Sequence, residues 1–219
     1  MAGLLKYKPM ATAHTQTLVL ALTGASGIAL GRMALQTLAA DARVGQIYLV
    51  VSDHGRRVMW EELGERPGSG QSLPDFLLGG GAGREKIKVC DPRDIGAAIA
   101  SGSVAHQGML ILPCSMGTLA AIAHGLSDNL IERAADVCLK ERRRLVLGVR
   151  ETPLQLIHLR NMLAVTEAGA TVFPLMPAFY DRAVTPEDAM RQFVARVLAH
   201  FQLDPAGMFR WPGGEKARD

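Results

Sequence analysis

The sequence predicts an α/β fold, a doubly wound parallel sheet in three layers and a single domain, on three observations. Thr17–Leu22 (TLVLAL), Gln46–Val51 (QIYLVV), Gly108–Leu112 (GMLIL) and Leu145–Val149 are continuous apolar runs. They lack the polar alternation of a half-exposed strand, which marks strands covered on both faces. Stretches of helical apolar spacing separate them, so strand and helix alternate along the chain. A length of 219 residues suits one domain that buries roughly 70% of its unfolded surface.

Composition narrows the function. Hydrophobic residues make up 48% and charged residues 21%, and the net charge is +3. That total is too small to argue for nucleic acid, while local charge leaves small anionic ligands open. Cys90, Cys114 and Cys138 lack CxxC spacing and are odd in number, so a disulfide framework is not expected and a reducing cytoplasm is. The six histidines form no HExxH and none pairs with a cysteine at ligand spacing, so no metal site is expected. Residues 1–16 hold two lysines but no apolar core of a signal peptide, and read as a flexible extension rather than a secretory or transit segment. The apolar run from Leu18 breaks at Thr23 and Gly24 before it could span a bilayer, which argues against a membrane protein.

Taken in order, the first strand runs into a small-residue turn, Thr23 to Gly27 (TGASG), and a helix to about Ala40. Strand, turn and helix make a phosphate-binding geometry, because glycine admits close approach and a helix start offers free N–H groups. Gly24, Gly27 and Gly31 do not match GxGxxG, no Walker lysine follows, and none of the tyrosines at 7, 48 and 180 heads a Tyr-x-x-x-Lys pair. NAD chemistry therefore loses ground. The second strand ends in Ser52 and Asp53, either of which suits a cofactor contact. A helix follows through Val58, Met59 and Leu63, with Glu61 and Glu62 on a solvated end. Residues 64–83 carry seven glycines and two prolines and read as a loop with one helical turn at Leu73–Leu78, a surface insertion in preference to a lid.

Lys86–Cys90 is the third strand, and Asp94 caps a short helix Ile95–Ala100. The strand Gly108–Leu112 meets a second turn, Pro113 to Thr118 (PCSMGT), before a helix Leu119–His124. Two hydroxyl-bearing turns on one parallel sheet are what a phosphate-bearing cofactor needs at a topological switch point. Cys114 reads as a small buried hydrophobe, with no histidine placed to activate it. Leu154–Ala168 is a helix and Ala170–Phe173 the last strand. Two prolines make 174–182 irregular, and Pro186 opens a final helix to about Phe201 with Arg196 off its core face. Residues 17–203 thus form the domain and 204–219 a tail.

The stretch 133–153 (RAADVCLKERRRLVLGVRETP) organises the functional reading. A helix ends at Lys140, a basic run leads into Leu145–Val149, and Arg150 and Glu151 follow where that strand ends. Helix end, basic run and strand end together supply an anion site with a proton-transfer group beside it. A solvated charged turn with a capping carboxylate is the plainer alternative.

The strings TGASG at 23–27, SGS at 101–103, PCS-x-GT at 113–118, DNLIERAADV at 128–137, LKERR at 139–143, VRE-x-P at 149–153 and AFY at 178–180 resemble the flavin prenyltransferases of the UbiX type. The likeness runs from about Leu18 to Trp211, in matching order. It implies a flavodoxin- or Rossmann-like sheet and a homo-oligomer, typically a dodecamer with sites between subunits. It further implies metal-free transfer of a prenyl group from dimethylallyl phosphate to N5 and then C6 of reduced FMN, the co-substrate. A UbiD-type decarboxylase would receive the product, in ubiquinone synthesis or aromatic-acid decarboxylation.

By the same resemblance Gly24, Ala25 and Ser26 hold the flavin, with Ser26 near N5. Ser52, Ser115, Met116, Gly117 and Thr118 contact FMN, and Arg133 and Arg150 fall in the same site. Lys140, Tyr180 and Arg196 grip the prenyl phosphate. Glu151 handles the proton, with Glu62 (or its neighbour Glu61) assisting. The chemistry agrees: a departing phosphate wants cations positioned beforehand, and the second carbon–carbon bond must shed a proton. The alternatives are an FMN-dependent decarboxylase of the related cysteine-decarboxylase group, which wants a histidine absent between Gly24 and Asp53, and a non-catalytic FMN carrier.

Overall fold

The computed structural model of the chain describes residues 15–179, 184–205 and 207–211. The strands are β1 (Gln16–Leu22), β2 (Val44–Val51), β3 (Ile87–Cys90), β4 (Gly108–Cys114), β5 (Arg144–Val149) and β6 (Thr171–Val172). The helices are α1 (Ile28–Ala40), α2 (Asp53–Leu63), α3 (Leu73–Leu78), α4 (Met116–Ala123), α5 (Leu130–Lys140), α6 (Leu156–Glu167) and α7 (Pro186–Ala199). All strand pairs are parallel, in the order β3-β2-β1-β4-β5-β6. That is the doubly wound order expected, and its switch point lies between β1 and β4.

The apolar runs are continuous because each strand serves two cores. Leu18, Leu20 and Leu22 of β1 face α1, α3 and α7, whose Leu35, Leu77 and Val197 are buried with them. Val19 and Ala21 face the other way, into a core with Leu119 of α4, Ala134 and Cys138 of α5 and Val165 of α6. Period-two alternation between two buried faces yields an unbroken apolar string.

Several boundaries differ from the sequence reading, each for a local reason. β4 continues through Pro113 to Cys114, where its pairing with β5 is irregular between Ile111 and Cys114. A proline without an N–H is tolerated at such an irregularity. Asp94 does not start a helix at Ile95: its carboxylate accepts from Gly96 N–H in a local turn, and only Ala98–Ala100 is helical, as one 3₁₀ turn. The glycine-rich segment is not a loose insertion. Phe76, Leu77 and Leu78 of α3 are buried, and Arg32 and Gln36 of α1 donate to the Leu77 carbonyl. In the tail, Phe209 N–H donates to Gln192 Oε1, which ties residues 207–209 to α7. No helix among the described residues is long and apolar enough to cross a membrane.

Candidate active site

The carboxyl ends of β1, β2, β4 and β5 meet at the switch point, and one buried threonine binds two of them together. Thr23 Oγ1 donates to the Pro113 carbonyl at 2.9 Å and accepts from Ser115 N–H at 2.8 Å. Ser52 N–H donates to the Leu22 carbonyl, and Arg150 N–H to the Cys114 carbonyl. These bonds bring the turn 23–27, Ser52, Ser115–Thr118 and Arg150 to one crevice. Thr23 has this role without any motif that demands it; its one signal in the sequence is a hydroxyl ending an apolar strand.

Two helix starts in this crevice differ in what they offer. At α1, Gly27 N–H donates to both Glu62 carboxylate oxygens (2.9 and 3.1 Å) and Ile28 N–H to one of them (2.8 Å). The expectation of free N–H groups at the TGASG turn is therefore corrected: a carboxylate from α2 already occupies them. Gly27 reaches this with φ at +113°, the left-handed region that glycine enters without strain. Glu61 points elsewhere, to an exposed pair with Arg57, so Glu62 is the inward carboxylate. At α4, Ser115 caps the helix by accepting from Thr118 N–H, and among the described residues the Met116 and Gly117 N–H groups meet no acceptor. A Cβ on Gly117 would meet only Ser115 Oγ, at 3.9 Å, so the approach is open. Ser52 caps α2 in the same way, through Gly55 N–H. Both serines accept in these caps and keep a hydroxyl proton to donate. Ser26 is exposed on the turn, and Ala25 is buried beneath it.

Beside this crevice lies a cavity of 330 Å³ lined by Arg150, Glu151 and Thr152 with Met116, Leu154, Met162, Leu175 and Met176. Glu151 is exposed and accepts from Thr152 N–H at 3.1 Å. Met176 also lines a second cavity, of 130 Å³, with Arg196, Phe173, Phe193 and Phe209, so Arg196 sits one side chain away from the Arg150 pocket. Burial pushes the Cys114 thiol up to about 12, which leaves it an inert packing group as expected.

The remaining predicted residues are not gathered here. Arg133 is committed to Asp136 (2.6 Å) and the Ala100 carbonyl (3.1 Å). Lys140 pairs with Glu141 at the C-terminal end of α5, by the start of β5. β5 is six residues long, so roughly 17 Å separates its ends. The expectation that helix end, basic run and strand end form one site is therefore corrected for the single chain. Tyr180 lies outside the described residues.

Known proteins resemble this chain in sequence and fold. Residues 7–197 match the Flavoprotein family. The chain is 44% identical over 196 residues to the flavin prenyltransferase UbiX of Neisseria meningitidis, covering 90% of this chain and 96% of that one. It is 43% identical over 202 residues to the UbiX of Thauera aromatica, covering 91% and 95%. Among solved structures it resembles AnUbiX (PadA1), determined in complex with FMN and dimethylallyl pyrophosphate, with a TM-score of 0.81 and 44% identity over 92% of this chain and all of that one. A dodecameric FMN-dependent UbiX-like decarboxylase from Escherichia coli O157:H7 gives 0.78 and 42%, over 90% of this chain and all of that one. The cysteine decarboxylase SpaF, at 20% identity and 0.53, shares the fold alone. With identity this high across nearly the full length of both chains, the protein belongs to the UbiX-type flavin prenyltransferases.

Proposed function

We propose that this protein joins the dimethylallyl group of dimethylallyl phosphate to N5 and C6 of reduced FMN, without a metal, and that a UbiD-type decarboxylase uses the prenylated FMN. The observation that carries this reading is the junction of an open, hydroxyl-lined helix start with a methionine-walled cavity holding one arginine and one carboxylate. The residues present fit FMN: two N–H groups at α4 that meet no acceptor among the described residues, the hydroxyls of Ser52 and Ser115 and the Arg150 guanidinium suit a ligand rich in carbonyl and phosphate oxygens. Reduced FMN, when bound, supplies the nucleophilic nitrogen and carbon. Gly24, Ala25 and Ser26 would hold it from one turn, and Gly117 and Thr118 from the other.

Each chemical task then has a residue. The apolar wall of Met116, Met162 and Met176 takes the five-carbon chain, since methionine adapts to irregular shapes. Arg150 and Arg196 hold the phosphate and stabilise its charge as the carbon–oxygen bond breaks. Glu151 accepts the proton released when the second carbon–carbon bond forms. Glu62 assists by holding the TGASG turn in place rather than by taking a proton. Lys140, from a neighbouring copy because its own chain carries it to the opposite sheet edge, and Tyr180 complete the phosphate grip, while Arg133 belongs to the FMN site.

That assignment needs an oligomer, and α6 offers the surface for one. Leu156, Leu159 and Leu163 recur at i, i+3 and i+7, and are 59%, 48% and 59% exposed. A soluble helix buries such a stripe against a partner. A homo-oligomer, a dodecamer like the E. coli relative, is the reading adopted. Three free, buried cysteines suit the reducing cytoplasm. The cysteine-decarboxylase alternative has fold-level likeness alone.

Anaerobic incubation with reduced FMN and dimethylallyl phosphate tests the proposal. Mass spectrometry should find FMN heavier by one prenyl unit; unmodified FMN beside an active control enzyme would defeat it. Glu151→Gln should keep FMN bound while slowing adduct formation, and full-rate turnover would remove its role.

A further inference from the structure

The basic run after α5 is the part of the organising stretch that the proposed reaction leaves idle. Arg142, Arg143 and Arg144 follow one another at the turn into β5. With Gly169 and Thr171 from the turn between α6 and β6, they line a cavity of 280 Å³. It opens at the amino-terminal edge of the sheet, the full length of β5 away from Arg150.

The arginines are held there by the backbone. Arg142 adopts a left-handed φ of +55°, and its N–H donates to the Leu139 carbonyl. Arg143 is anchored by donating to the Val104 and Gly102 carbonyls, at 2.8 and 2.5 Å. Its guanidinium is therefore fixed rather than free to swing toward solvent. Arg144 begins β5, with its Cα opposite Gly108.

Their charge is not compensated locally. Among the described residues no carboxylate lies within 4.0 Å of any of the three guanidinium groups. Glu141, the nearest acid in sequence, is taken by Lys140, and Glu167 at the end of α6 forms no ion pair among the described residues. His106 and His200 lie near Arg143 and Arg144 and bring no negative charge. Each guanidinium has five donors, and Arg143 is the one that spends two on carbonyls. Thr171 adds a hydroxyl to the same wall.

We infer that this cavity is a second anion site, built for a dianionic tetrahedral oxyanion of the phosphate class and separate from the crevice at the carboxyl ends of the strands. Guanidinium groups lining one cavity suit such an ion because their planar forks match pairs of its oxygens. Arg142 and Arg144 are exposed at the mouth of the cavity while Arg143 is half-buried and pinned, so one fixed guanidinium is flanked by two that can close on an ion.

Isothermal titration of the full-length protein with inorganic phosphate, at ionic strength held constant with chloride, tests this. Saturable binding should weaken about tenfold or more in Arg142→Ala/Arg144→Ala, from the loss of charge-assisted bonds. Arg150→Ala, at the other edge, should retain it. Both single variants should weaken it in part, which guards against a misfolded double variant. A phosphomonoester such as glycerol phosphate, run in parallel, separates a site for the free ion from one for a phosphoryl group on a larger molecule; binding of either supports the site. Binding that survives the double variant but vanishes in Arg150→Ala would overturn the inference, as would no saturable heat beyond that of chloride.

Discussion

Replacing Glu62 separates two jobs that a carboxylate at this place can do. Its oxygens receive Gly27 N–H and Ile28 N–H at 2.8–3.1 Å, covering the positive end of a helix of 13 residues that has no side-chain cap of its own. A helix N-cap is worth about 0.5–2 kcal/mol. The favourable interaction with the helix dipole adds about 0.3–1 kcal/mol, the lower range because this carboxylate is exposed to solvent. Glu62→Ala should therefore cost about 1.5 kcal/mol in all. For a domain of this length that lowers Tm by about 3–6 °C. Glu62→Gln keeps an acceptor oxygen and loses the charge, so about half of the destabilisation is expected. Thermal unfolding followed by circular dichroism measures the first quantity, and single-turnover prenyl transfer the second. If Glu62 positions the turn, Glu62→Gln retains most of the rate while Glu62→Ala weakens FMN binding. A Glu62→Ala protein that melts within a degree of the parent would refute the cap, and equal rate losses in both variants would return the residue to proton transfer.

Other outcomes follow from packing and titration. Gly31→Ala should destabilise by about 1–3 kcal/mol although alanine is the better helix former, because a Cβ there would enter the Leu112 carbonyl oxygen and crowd Leu22 Cγ at 3.1 Å; a raised Tm would refute it. Burial, with Arg143 nearby, holds His106 below its ordinary 6.5. The unfolded chain then binds a proton near pH 6.5 that the folded chain refuses, so this contribution is full above that pH and is lost as pH falls through it. The slope is at most about 1.4 kcal/mol per pH unit. Denaturant midpoints at pH 7, 6 and 5 should fall less steeply in His106→Gln, and an unchanged slope would remove the histidine from the account. Leu159→Asp/Leu163→Asp on α6 should break the assembly by light scattering; an intact oligomer would place the subunit contact elsewhere.

The sheet was legible because its strands are buried on both faces, a condition that writes itself as unbroken apolar runs. The two turns at the switch point were legible for a similar reason: Ser115 follows a strand and precedes a helix, where its hydroxyl must cap. What escaped involves partners distant in sequence. Nothing near Glu62 announces that Gly27, 35 residues earlier, lacks a cap that only a carboxylate from α2 supplies. The packing of Phe76, Leu77 and Leu78 on α1 was masked by the glycines around them, which advertise a loop whatever the apolar residues between them do. The helix expected at Ile95 failed because Asp94 can satisfy Gly96 N–H in a turn, and a six-residue segment containing glycine gains too little from helix to compete.

The division of the stretch 133–153 carries a more general consequence of parallel sheets. A β-strand is rigid and extended, so motifs at its two ends are near in sequence and far apart in space. Every parallel strand points the same way, which means that residues before the strands gather at one edge and residues after them at the other. Lys140 precedes β5, whereas Arg150 and Glu151 follow it. No rearrangement of loops can bring both groups to one ligand within a single chain while β5 stays paired between β4 and β6. A shared phosphate grip therefore requires a second copy whose amino-terminal edge meets the first copy's carboxyl edge. The exposed stripe of α6 begins just after the Arg150 pocket, at its rim, and is the apolar surface proposed for that meeting. On the proposed function, catalysis and assembly are both consequences of that one topological fact.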